Sequence, residues 1–494
     1  MDIKKSLSKQ EEIEEIKPID EPVDASFLIT WDSPTDSKNP KNWPYSRRWM
    51  QLVIVSVFAL LGPMASSMVA PCLDQIAERF HVENSTEKAL ILSIYLLVFA
   101  VSPMISAPLS EIFGRRILLQ AGNVIFIVFN MACGLAKTKA QMYIFRFLAG
   151  FGSATPMGLG SGTISDLFTP EERGRAVAVM SLAPLLGPTI GPVISGFIAE
   201  YTTYKWIFWS TTIFSGFVFA LSIPFLTETY PKTLLGRKAR KLNKKENTLK
   251  YHTEWRLEHI PQRKLVAPAL MRPLKMLTTQ PVVILCAGYM AIQYGILYLV
   301  LTTYPVLWTH DYHERSSIAG LHYIAPGLGL ILGSQASGVF IDKTFRFLKM
   351  RNNGKMAPEF RVPVILLGTM FFPTGLIVYG WTAKYHTHWI GPDIGAAMFN
   401  VGLMLGWRGI QTYLIDTFII YAASSTAVAC CIRSLAAFGF PLFGQTLYDR
   451  LGYGWGNSLL AFIVLGSSII TCSVLWFGGK GLRTKSNMVV FKDE

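Results

Sequence analysis

The chain is 494 residues long, 51% hydrophobic and 16% charged, with a positive mean hydropathy and a formal net charge of +14. A soluble protein of this length is about a quarter charged, so a water-soluble globular fold is excluded. The basic excess would suit nucleic acid, but its Lys and Arg residues sit in short loops between apolar stretches, so nucleic acid is excluded as a partner and a lipid bilayer is expected instead.

The first segment, to about Lys41, is polar and rich in Glu and Ser, and reads as a disordered tail within a cytosolic region 1–48. No cleavable signal peptide is visible. Apolar stretches then recur, with spans expected near 49–70, 89–110, 117–136, 141–163, 175–199, 205–226, 281–305, 317–341, 361–382, 390–411, 417–440 and 457–478. A stretch such as Val53 to Ala70 or Ser458 to Leu475 crosses about 30 Å of hydrocarbon as a helix. Lipid offers the backbone no hydrogen bonds, so repeated spans mean a helical bundle. Of the cysteines, Cys133, Cys286, Cys430, Cys431 and Cys472 fall inside spans and Cys72 outside, which implies no disulfide framework.

The widest gap, 227–280, is a basic loop carrying Arg237, Lys238, Arg240, Lys241, Lys244 and Lys245 among others. Lys343, Arg346, Lys349 and Arg351 follow the eighth span. The alternate loops are poor in bases, so the positive-inside rule places both termini and the 227–280 loop in the cytosol. The sequon Asn84-Ser85-Thr86 then lies outside, and Asn84 is a candidate glycosylation site. The expected organisation is a six-span half over 49–226, the loop, a second half over 281–478 and a cytosolic tail over 479–494. Ala107-x-x-x-Glu111 with Arg115 and Arg116 is echoed six spans later by Gly338-x-x-x-Asp342-Lys343. Repeated halves with a site between them are a plan of secondary transporters.

Arg146 and Arg433 lie deep in spans four and eleven. An intramembrane arginine costs roughly 2.5–3.5 kcal/mol on insertion scales, so each is a functional candidate, the alternative being a guanidinium bonded to helix carbonyls. Arg408, near the end of span ten, is also an unusual transmembrane residue. Gly187 and Gly191 are four apart on one face of span five, among Pro184, Pro188 and Pro192, which suits a bendable, closely packed hinge, or ordinary packing. Glu111 at a turn is expected to accept from the amides that open the next helix and to pair across to another segment, with Asp166, Glu171 and Arg173 as candidate partners. Tyr294 and Tyr298 share a helix face, and with Tyr95, Gln293 and Asn400 they suit the wall of a cavity for an amphipathic cation. No Asp or Glu lies in the middle of a span, so the residues leave the proton carrier open. His322, near the outer end of span eight, titrates in the useful range but reads equally as a packed polar group.

Ala107-Pro-Leu-Ser-Glu-Ile-Phe-Gly114-Arg115-Arg116 resembles the loop motif of the major facilitator superfamily, and Tyr143-Ile-Phe-Arg146-Phe-Leu-Ala-Gly150 resembles its fourth-helix motif. Ala183-Pro-Leu-Leu-Gly187-Pro188-Thr-Ile-Gly191-Pro192 with Gly196 resembles the fifth-helix motif of antiporters. Thr227-Glu228-Thr229-Tyr230-Pro231 and Tyr413-Leu-Ile-Asp416 are similar to the fungal twelve-span drug:proton antiporters. The loop motif departs from the family pattern at Ala107, Glu111 and Ile112, where Gly, Asp and Arg are usual. The resemblance implies an all-α membrane protein with the major facilitator fold, twelve transmembrane helices in two six-helix halves. It also implies proton coupling or gating through Arg146, Glu111, Arg115, Arg116, Gly187, Pro188 and Gly191; Arg433, from its depth in span eleven, is a candidate for the cavity wall, although its neighbours Ser434, Gly439 and Pro441 look structural.

The expected activity is proton-coupled export of small amphipathic or cationic compounds, drugs or polyamines, by a monomer in the plasma membrane, with the vacuolar membrane as second choice. Uptake of a nutrient by proton symport or facilitation is the alternative. No cofactor, metal or enzymatic activity is expected: no phosphate-cradling loop, zinc-ligand cluster or nucleophile–base set appears.

Overall fold

The computed structural model describes residues 27–33, 35–169, 172–248, 250–253, 271, 275–418 and 422–484. Among these, extended pairing is confined to an isolated bridge between Leu28 and His252. The first half contains α1 (Tyr45–Ser67), α2 (Ser85–Phe113), α3 (Arg115–Leu135), α4 (Lys139–Leu167), α5 (Arg173–Tyr201) and α6 (Lys205–Phe225). A connecting helix α7 (Pro231–Glu246) follows. The second half contains α8 (Pro281–Val306), α9 (Ile324–Arg351), α10 (Val362–Lys384), α11 (Ile390–Thr417), α12 (Ala422–Gly439) and α13 (Pro441–Thr484), the last kinked at Gly452.

Large apolar side chains such as Ile213, Phe217, Met370 and Phe462 cover the outer wall, as a bundle solvated by lipid requires. Nine helices of the described residues are long and apolar enough to cross a membrane. The remaining spans are α4, α11 and α12, and they carry Arg146, Arg408 and Arg433 respectively.

The halves repeat one packing scheme. In the first, α1 packs on α5, α2 on α4, and α3 on α4 and α6. In the second, α8 packs on α12, α9 on α11, and α10 on α11 and α13. The halves meet where α2 crosses α12 and where α5 meets α9 and the short helix Ser316–Leu321 before it. One end of the bundle carries α7 and the turn 352–357, and is called the basic face. The opposing face carries the connections 80–84, 307–315 and 385–389.

Some expectations need correction. The tail was expected to be disordered to about Lys41, yet Ile29 donates to the His252 carbonyl at 2.8 Å and Lys238 Nζ meets Asp32 at 2.5 Å. Two lysines, Lys238 first and then Lys38, hold the Asp32 carboxyl below its ordinary range. Residues 1–26 and 485–494 lie outside the described residues. The segment 227–280 is not simply a loop, since α7 occupies part of it. Span eight, expected as one helix over 317–341, is broken at His322–Tyr323 and then runs to Arg351, so its bases sit on the last turns of α9.

Candidate functional site

In the first half, Arg146 on α4 is fully buried. Its Nε donates to the Ile91 carbonyl at 3.3 Å and its Nη1 to the Ala65 carbonyl at 3.1 Å, tying α4 to α2 and α1. The guanidinium lies 4.3 Å from the centre of the Tyr95 ring, and the Tyr95 hydroxyl meets Ser153 Oγ at 2.5 Å. The described partners of Arg146 are thus carbonyls and a ring, with no carboxylate among them. This geometry matches the carbonyl-bonded alternative, and it gives Arg146 no acidic neighbour to tune.

In the second half, Arg433 on α12 lies 4.3 Å from the Tyr294 ring and 4.4 Å from the Trp407 ring. Tyr298 packs edge-on against Tyr294, with ring centres 5.1 Å apart. Its hydroxyl reaches Ser66 in the other half at 3.3 Å. Gln293 donates to Tyr289 at 2.8 Å and keeps a buried oxygen without a partner, as does Asn400. Tyr294, Tyr298 and Arg433 therefore come together with Trp407, which sequence reasoning missed. Tyr95 belongs to the other half, and Asn400 to a small cavity with Pro188, Tyr304 and Tyr323. That cavity holds about 30 Å³. This admits a water, whereas ligand pockets run to roughly 300–1,000 Å³.

The glycines of α5 divide their work. A Cβ on Gly187 would come 2.7 Å from Pro63 Cβ, and one on Gly191 would come 2.8 Å from the Met64 carbonyl. Both approaches are to α1, inside one half. Gly196, a turn further on, crosses to the other half, where a Cβ would lie 2.6 Å from the Ser316 carbonyl and 3.0 Å from Gly320 Cα. Ser317 N donates to Glu200 at 3.0 Å beside this contact. His310 and Asp74 also approach across the halves, at 3.6 Å. These contacts close the joint at the opposing face.

At the basic face, Gly114 turns the chain from α2 into α3 with φ of 97°. Only glycine takes this conformation freely, and a Cβ would collide with Glu228. Glu111, expected to cap the following helix, is exposed. Glu228 does that work. It is 5% exposed, and its Oε1 accepts from Arg115 N at 2.9 Å and from Thr229 N and Tyr230 N at 3.0 Å. An acid at a helix start gains from the amides and the dipole; here it simply comes from the far end of the half rather than the adjacent turn. Arg115 meets Asp166 at 3.4 Å, bonds Ser110, and lies 4.7 Å over the Tyr230 ring. Burial pushes the Tyr230 hydroxyl above its ordinary value, and nearby Glu111 adds to this. Asp166 is thus the partner that Arg115 finds. Glu171 lies outside the described residues, Arg173 turns back to the Phe168 carbonyl, and Arg116 bonds the Ile223 carbonyl at 2.9 Å.

A further cluster was missed as a cluster. His322 Nδ1 lies 2.8 Å from Asp393, and its Nε2 lies 2.9 Å from Glu314. The Tyr304 hydroxyl donates to Asp393 at 2.8 Å. Asp393 sits in the first turn of α11, where a carboxylate just inside an apolar span was the available signal. Asn84 caps α2 from an exposed position on the opposing face, accepting from Thr86 N at 2.8 Å. No group of three metal-ligating side chains that could hold an ion occurs among the described residues.

The sequence profile of the Major Facilitator Superfamily matches residues 55–441. A transporter of Schizosaccharomyces pombe is 82% identical over the whole of both chains. The efflux pump vrtL of Penicillium aethiopicum is 43% identical over 93% of this chain and 91% of its own. The efflux pump radE of Floropilus chiversii is 38% identical over 92% of this chain and 85% of its own. Among solved structures, the xylose transporter XylE from E. coli in a partially occluded inward-open conformation aligns with a TM-score of 0.64. It is 15% identical and covers 87% of this chain and 97% of that one, a likeness of fold.

Proposed function

Since the chain belongs to the Major Facilitator Superfamily and is a multi-pass transporter of small molecules, we propose that it is a proton-coupled exporter working by antiport. The carrying observation is the joint between the halves. It is closed at one face by the Gly196–Gly320 approach and the Glu200–Ser317 bond, around a cavity too small for a substrate. Such a joint suits two halves that rock about a central site. The efflux pumps among the relatives support the outward direction. The basic face is cytosolic in this reading, by the positive-inside rule, and Asn84 faces outside as a glycosylation site. The protein acts as a monomer in the plasma membrane.

The substrate is a small amphipathic molecule, uncharged or anionic. Arg146 and Arg433 are buried within their spans, and the aromatic box of Tyr294 and Trp407 already holds a cation. Like charges in a poorly screened interior repel, which speaks against the cationic and polyamine variants. Everted vesicles test the whole reading. With fluorescein as the anionic probe and rhodamine 6G as the cationic one, ATP-independent uptake driven by an acid interior, stronger for fluorescein, is the expected result. Equilibration of the probes that ignores the pH gradient would remove antiport.

A further inference from the structure

We propose that Glu314, His322 and Asp393 form the proton-binding site, and that the bound proton holds the outer end of the joint closed. This rests on the antiport reading and its orientation, and it names a carrier that no mid-span carboxylate supplies.

Counting protons leads to it. Each ring nitrogen of His322 faces a carboxylate oxygen, at 2.8 and 2.9 Å. Each contact at that distance needs a proton between its atoms, and a neutral imidazole brings one. The arrangement therefore holds one proton more than a neutral histidine with two carboxylates. Removing it leaves two lone pairs facing each other across one of the contacts. That contact must open.

The position gives the opening a consequence. His322 lies at the break between the helix Ser316–Leu321 and α9. The same segment carries Ser317, which bonds Glu200, and Gly320, which packs on Gly196. Protonation and closure thus act on one stretch of chain. The site also bridges two compartments. Glu314 is 22% exposed at the opposing face, and Asp393, 12% exposed beside the same groove, bonds Tyr304, which lines the small cavity with Asn400. A proton taken from outside water at Glu314 passes to His322 and Asp393, and leaves to water in the cavity once the cytosolic side opens. Other groups facing the site are Asp311, Tyr312 and Arg315 on the same connection, and Tyr323 at the start of α9. His386 and His388 precede α11, and Asp74, His310 and Glu200 lie at the joint. Of all the titratable groups named, Glu314, His322 and Asp393 are the ones joined into a chain through both ring nitrogens of one histidine.

Two readouts test this without a known substrate. Trp308 stacks on His322, with ring centres 3.6 Å apart and planes within 6°. The full-length protein in nanodiscs is expected to show a tryptophan emission component quenched as pH falls, absent from both Trp308→Phe and His322→Gln. In Asp393→Asn the quenching moves to lower pH, because the imidazolium loses one of its two anions. The second readout is labelling of a Leu301→Cys reporter in the small cavity by an impermeant maleimide from outside. Labelling is expected to rise with pH more steeply than in the same reporter carrying His322→Gln, which shares the intrinsic rise in thiol reactivity. Glu314→Gln, at a more exposed position, should flatten the profile in the same way if Asp393→Asn fails to fold. A quenching component that persists in His322→Gln, or a labelling profile untouched by His322→Gln and Glu314→Gln, overturns the proposal. A wild type that titrates and gates in this way but ignores a pH gradient in vesicles would instead overturn antiport and leave the proton site standing.

Discussion

Between Tyr294 and Trp407 the Arg433 guanidinium occupies the space that a substrate cation would take. Cation–π contacts in a desolvated setting are worth about 2 kcal/mol, so Arg433→Ala should free the box as well as remove a positive charge. Rhodamine 6G is expected to compete for transport in that variant and not in the wild type, read as inhibition of fluorescein uptake. At the basic-face turn the contrast is between two glutamates. Glu228→Ala strands three backbone donors, at a cost of about 1–3 kcal/mol for each one left dry, and should lower the thermal midpoint in detergent. Glu111→Ala should leave it unchanged, because that side chain is exposed. Arg146 and Arg433 were legible in the sequence because charge is so scarce in these spans. Their partners were not. Trp407 and Tyr95 reach them from other helices, and nothing local marks an aromatic as a lid for an arginine.

At the scale of helices, α5 carries two functions on one glycine motif. Gly187 and Gly191 let it lie against α1, whereas Gly196 lets it touch the other half. Gly187→Leu should therefore reduce the yield of folded protein, since overpacking a tight helix contact is destabilising. Gly320→Leu should fold but fail to close. The expected outcome is near-normal yield, much reduced transport, and faster labelling of the Leu301→Cys reporter from outside. The spacing of the motif announced close packing. Which half each glycine faces depended on the rotation of α5 within the bundle, which hydropathy leaves open when a helix is apolar nearly all round.

For the molecule as a whole, the basic face is the premise of every statement about direction. A single cysteine at Lys241 on α7 should resist an impermeant reagent in intact cells and react after permeabilisation. Reaction from outside would invert the topology. The order of the spans was readable because a bilayer makes a simple demand, apolar side chains outward and every backbone amide bonded within its own helix, and the two-half plan was readable from the basic gap 227–280 and the motif echoed six spans later. That demand acts on each segment separately, so composition along the chain was enough to meet it. Which side chains share the interior is a different matter. His322 and Asp393 are 71 residues apart, and Arg115 and Glu228 are 113 apart. Such pairs form only when helices cross at a given angle and depth, and that geometry comes from packing summed over the whole bundle. The closed joint, the filled aromatic box and the histidine held between two acids were therefore decided by the tertiary structure alone.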